Sequence, residues 1–161
     1  MTSQTIFTDP EQTFSLQLPA GVTFKQETTL LPDIRYYEWS GEKCAFSIYC
    51  QKPPGQTPQE YISFMEEDSE VKVEVNLPAS ESDQPFHLLR LQTSAFIERS
   101  RHNEDGNIFD VPAHTSTKTV KLQFWPGQEW HIRASYAYDS DVSAAELEMV
   151  ELMLATFQLV A

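Results

Sequence analysis

The sequence predicts an α+β domain with an antiparallel β-sheet of about six to seven strands flanked by helices, and three observations carry that prediction. Short runs of alternating apolar and polar residues recur along the chain, the period-2 mark of half-buried strands. Two stretches open on a hydroxyl residue with glutamate three places later and continue with apolar residues at helical spacing. The 161 residues, 40% of them hydrophobic, fit one domain over 1–161 with enough apolar surface for a core.

The elements follow in order. Phe14, Leu16 and Leu18 alternate with Ser15 and Gln17. Pro19 cannot keep donating to a strand ladder and Gly21 permits positive φ, so the chain turns at Pro19-Ala20-Gly21. Val22 and Phe24 then resume an extended segment. Ile34 to Trp39 carries aromatics on both sides, and Cys44, Phe46, Ile48 and Cys50 share one face of the next strand. Thr57, Pro58 and Glu60 form a capping box with proline at the first helical position. Val71, Val73 and Val75 alternate with Lys72 and Glu74, and Phe86 to Ile97 reads as a longer strand. Arg101 to Ser116 reads as the longest irregular segment, with a turn signal at Asp105-Gly106. Val120, Leu122 and Phe124 match Trp130, Ile132 and Ala134 across a hairpin. An odd loop there sets Leu122 beside Ile132 and Val120 beside Ala134, as burial on one face demands. Ser143 and Glu146 open the second helix, whose apolar stripe is Leu147, Val150, Leu154 and Phe157. The closing Gln158 to Ala161 either adds a short strand or trails along the surface.

A net charge of −13 argues against nucleic acid, whose phosphates need lysine and arginine, and against anionic membrane surfaces. Between Glu60 and Asp83 eight acids stand against Lys72 alone; between Asp139 and Glu151 five acids have no base. Two solvated helix faces account for both windows, or an acidic docking surface does. No basic, apolar leader opens the chain and no apolar run reaches the ~18 residues of a membrane span, so the expectation is a cytoplasmic protein without membrane insertion. Cys44 and Cys50, six residues apart on one strand, would lie roughly 20 Å apart, beyond disulfide reach. Buried, inert thiols are expected.

The order of motifs carries a resemblance. An early "FSLQLPAG" corner, a strand pair, the "PQEYI" helix, the "FHLLRLQT" strand, the "KLQFWPGQEWHIRASYAY" hairpin and a helix ending in "ATFQLV" succeed one another. This resembles the PsbP-like superfamily, including the DcrB-like bacterial proteins, over about Phe7 to Val160. The resemblance implies an α/β/α sandwich and an accessory or adaptor role more than an enzymatic one. Relatives include photosystem II accessory subunits, a Ran-binding nuclear import factor, lipoproteins and adaptors of type VI secretion effectors. The chain lacks a lipobox cysteine, and the family pattern offers no catalytic residues to carry over.

No catalytic or metal constellation stands out, and no cofactor is expected. There is no G-x-S-x-G elbow, His87, His102, His114 and His131 form no ligand pair, and "RHNEDGNIFDVP" fails the register of a calcium loop. The odd-loop register would place Lys121 opposite Arg133 and Gln123 opposite His131 on one outer face, with Trp125 nearby as an aromatic anchor. Like charges opposed in this way call for an anion or carboxylate between them. Tyr36, Tyr37, Trp39 and Tyr49 suggest a second surface, a bare sheet face for a partner's helix or strand, or for a second copy in a homodimer. The function that follows is a non-enzymatic accessory or adaptor for a protein partner. One alternative is an acidic inhibitor or immunity-type protein masking a basic partner. Another is an enzyme with a loop-built site drawn from His102, Asp105 and His114.

Overall fold

Proline and glycine fix the first corner. The computed structural model, which describes residues 5–11, 13–27, 34–52, 55–67, 69–102, 108–126 and 130–160, places Gly21 at φ +84° after β2. The Val22 amide closes that turn onto the Pro19 carbonyl at 3.1 Å. The strands are β1 (Thr5–Thr8), β2 (Phe14–Leu18), β3 (Lys25–Glu27), β4 (Ile34–Ser40), β5 (Cys44–Gln51), β6 (Glu70–Leu77), β7 (His87–His102), β8 (Ile108–Trp125), β9 (His131–Asp139) and β10 (Gln158–Leu159). Helix α1 (Pro58–Glu66) precedes β6, and α2 (Ala144–Thr156) follows β9.

Seven strands form one antiparallel sheet in the order β3-β4-β5-β9-β8-β7-β6, and a second, three-stranded sheet has the order β1-β2-β10. Because both faces of the large sheet are apolar, each must be covered. On one face α2 and the small sheet pack over β5 and β9, burying Phe14, Phe46, Ile48, Trp125, Met153 and Phe157. On the other face α1 lies against β6 and β7, and Ile62 joins Leu89, Leu91, Val120, Leu122 and Phe124. The first of these cores is the larger. Full burial of each large side chain contributes about 1.5–3 kcal/mol.

The two-sided core corrects the expected hairpin register. Leu122 lies opposite Ser135, Phe124 opposite Arg133 and Trp125 opposite Ile132, so an even number of residues, six, separates the two members of the last cross-strand pair. The odd loop followed from the premise that both apolar sets share one face. They do not: Leu122 and Phe124 face α1, whereas Ile132 and Ala134 face α2.

Strand β6 departs similarly. A bulge between Val73 and Val75 sends Val75 to the opposite face from Val71 and Val73, breaking the simple alternation. Most of the supposed irregular segment is strand as well, since β7 and β8 form a long ribbon in which His102 pairs with Ile108 and Ile97 with His114. The Asp105-Gly106 turn signal lies outside the described residues. His102 and His114 therefore sit at ribbon positions roughly 20 Å apart along β8, not in one cleft.

The helix starts hold with one change. Thr57 and Glu60 complete their capping box. Ser143 accepts from the Glu146 amide, but the Glu146 carboxylate turns away to accept from the Glu42 and Lys43 amides in the β4–β5 turn. The carboxylate thus ties α2 to that turn. The closing segment does add a strand, β10, which pairs with β2. Cys44 and Cys50 are free and buried on the α2 side, and burial pushes the Cys50 thiol up to about 12. Both thiols are inert at neutral pH, as the sequence suggests.

Candidate functional site

Helix α1 is only nine residues long, so it covers the β6–β7 part of its face and leaves a cleft toward β9 and β5. Alternation on β9 decides what enters that cleft. Ile132, Ala134 and Tyr136 point to the α2 core, so His131, Arg133 and Ser135 point to the α1 side. Tyr49 and Gln51 of β5 lie directly opposite Arg133 and His131.

The chain before α1 closes the other wall. Gly55 approaches His131 so closely that a Cβ there would fall 2.5 Å from both the His131 Cβ and Nδ1 atoms. Its amide donates to His131 Nδ1 at 3.2 Å, so that ring nitrogen is the acceptor. Gln56 Oε1 accepts from Arg133 Nη1. The Arg133 guanidinium lies over two phenol rings, 5.1 Å from the Tyr49 centroid and 5.2 Å from that of Tyr61.

Two adjoining hollows share Arg133, Tyr49 and Gln56. One, of about 240 Å³, runs over Pro58, Phe124 and Trp125. The other opens past Tyr61 to Phe64, a phenylalanine 59% exposed. Burial pulls the Arg133 pKa below its usual value, partly opposed by the neighbouring tyrosines. Among the described residues no carboxylate forms an ion pair with it. Glu60 lies at the rim, where its Oε1 accepts from the Thr57 amide. A desolvated cation over aromatic rings is suited to holding an anion or carboxylate.

The residues expected to form one outer face are divided by the sheet. His131, Arg133 and Tyr49 meet in the cleft. Lys121 lies opposite Tyr136, and Gln123 opposite Ala134, on the α2 face. Gln123 and Trp125 are buried: the indole Nε1 donates to Gln123 Oε1, and the Gln123 amide reaches the Leu154 carbonyl. The predicted like-charge opposition exists, but between Lys121 and Arg90, with Glu74 3.8 Å from Arg90 Nε. Tyr37 is a core residue whose hydroxyl donates to Asp9 at 2.5 Å, and Trp39 packs against the same core.

Gln56, Tyr61 and Phe64 were not legible as site residues. The signal was partly present: the Thr57 cap fixes where α1 begins, and Tyr61 and Phe64 follow at helical spacing. What the cap cannot say is which strands the helix leaves bare. Among the described residues, no cluster of three histidine, cysteine or acidic side chains is placed to hold a metal, and no helix is long and apolar enough to cross a membrane.

No protein-family model and no curated protein matches the chain. Among solved structures, the solution structure of cyanobacterial PsbP (CyanoP) from Synechocystis sp. PCC 6803 superposes with a TM-score of 0.56 at 8% identity, covering 99% of this chain and 94% of that one. A crystal structure from Bacteroides thetaiotaomicron VPI-5482 reaches a TM-score of 0.41 at 13% identity, over 99% of this chain and 49% of that one, and no argument rests on it. The fold is PsbP-like, an α+β sandwich, as the motif order implies.

Proposed function

We propose that the protein is a non-enzymatic accessory or adaptor, working in the cytoplasm, that holds a protein partner on the α1 side of its sheet. The observation that carries this reading is the cleft itself. It offers a cation that no carboxylate among the described residues pairs with, two phenol rings and an exposed phenylalanine, which are the residue types that anchor protein interfaces. The PsbP-like fold supports it only as architecture, since fold alone does not assign function.

The exposed acids Glu60, Glu66, Glu148 and Glu151 keep the acidic-inhibitor alternative in the same experiment. The tagged chain is expressed in its own host and the copurifying protein is identified by mass spectrometry. Tyr49→Ala with Phe64→Ala is expected to lose that protein, while Glu148→Lys with Glu151→Lys retains it. The reverse pattern would replace the adaptor reading with the inhibitor one, and no copurifying protein at all would remove both.

A further inference from the structure

We propose that the cleft captures the carboxy-terminal residue of its partner, taking the terminal carboxylate on Arg133 and an apolar last side chain against Phe124 and Pro58. The inference rests on the reading of this face as a partner site and names the chemistry it selects.

Among the described residues Arg133 is the only lysine or arginine lining either hollow. Gln56 takes one nitrogen. The buried side-chain nitrogens without a hydrogen-bond partner among the described residues are Arg35 Nε and Arg90 Nε; none belongs to Arg133, so its remaining donors are not sealed in the core but stand at the cleft it lines. The Tyr49 and Tyr61 rings lie 5.1 and 5.2 Å from the guanidinium and Gln56 holds one nitrogen, and a planar guanidinium fork recognises a carboxylate through two parallel hydrogen bonds.

The lining beyond Arg133 selects which carboxylate. Phe124 and Pro58 form an apolar wall within the same 240 Å³ hollow. A glutamate or aspartate side chain ends at its carboxylate and brings nothing to such a wall. A C-terminal residue carries carboxylate and side chain on one Cα, so both parts of the hollow are filled together. The chain's overall charge of −13 repels acids at long range, so recognition depends on these short-range contacts.

The test uses the full chain and an acetylated Gly/Ser pentapeptide extended by a terminal phenylalanine, followed by NMR shifts of the Gly55 and Gln56 amides. The free acid is expected to bind at least tenfold more tightly than the same peptide amidated, a comparison that needs no variant. Arg133→Gln is expected to abolish the difference, with circular dichroism reporting its fold. Equal binding of acid and amide, or no binding of either, overturns the inference. So does N-acetylphenylalanine alone binding as tightly as the peptide, which would make the occupant a free organic acid. A partner that loses its grip on Tyr49→Ala yet keeps it when its own C-terminus is amidated overturns this inference and leaves the proposed function standing.

Discussion

Arg35 and Arg133 lie on opposite faces of the same sheet, each with its guanidinium against an aromatic ring, and they are used differently. Arg35 stands 4.3 Å over Trp130 and pairs with Asp9 at 3.0 Å and with Glu11. Burial works against its charge, but those acids more than offset it, and its pKa is raised. Asp9 also accepts from the Tyr37 hydroxyl, so the group ties the β1–β2 corner to β4. Arg133 has the rings and Gln56 but no acid among the described residues. One arginine is tied into the fold by acids; the other has no acid paired with it among the described residues.

Replacing each arginine by methionine sharpens this contrast most. Arg35→Met removes one partner of a buried pair and leaves Asp9, whose side chain is fully buried, without its cation. About 3 kcal/mol of stability is expected to go, roughly 6–12 °C in Tm for a chain of this size. Arg133→Met strands no carboxylate and fills similar volume, so stability should hold or rise by up to about 1 kcal/mol. Thermal unfolding of the two variants measures the gap. Equal losses would mean that Arg133 is an ordinary structural residue.

A smaller effect is expected at Gly55. Alanine there must push His131 from the backbone segment that closes the cleft, at a cost of about 1–2 kcal/mol. The partner-binding signal should fall further than stability does, because the displaced segment carries Gln56 onto Arg133. Chemical denaturation beside a binding titration separates the two. A Gly55→Ala chain that binds normally would show that the close approach to His131 does not shape the site.

The faces also differ in how far the sequence exposes them. Strands, caps and the Pro19–Gly21 corner are local events, written in alternation, in Thr57 and Ser143, and in one glycine, and they are legible. The register of β8 on β9 is not local. It depends on whether Leu122 and Ile132 share a core, and alternation is identical whether a sheet buries one face or two. The same ambiguity hid Gln123 and Trp125 in the α2 core and left Arg133 seemingly opposite Lys121. Arg133 and Tyr49 were visible as candidates because their residue types are conspicuous. Gln56, Tyr61 and Phe64 became visible only once the length of α1 set against the width of the sheet showed which strands stay bare.

The smallest expected effect concerns pH and arises on the α1 face. His87 opens β7 with Nε2 2.5 Å from Asn76 Oδ1 and its ring edge-on to Phe124 at 6.2 Å. Burial lowers its pKa, and Glu81 opposes that only in part. A histidine whose pKa is lower folded than unfolded takes up its proton first in the unfolded chain. Its contribution is therefore complete above the unfolded value of about 6.5 and is lost as pH falls from there toward the folded value. His87→Gln keeps an amide donor for Asn76 and removes the titration, so urea midpoints measured at pH 7.5 and 5.5 should lie closer together than in the parent chain. The difference is small because one partly solvated group is involved. If the two chains showed the same spacing of midpoints, the pH sensitivity would have to come from another group, and the wall that His87 shares with Phe124 would be no drier than the open surface.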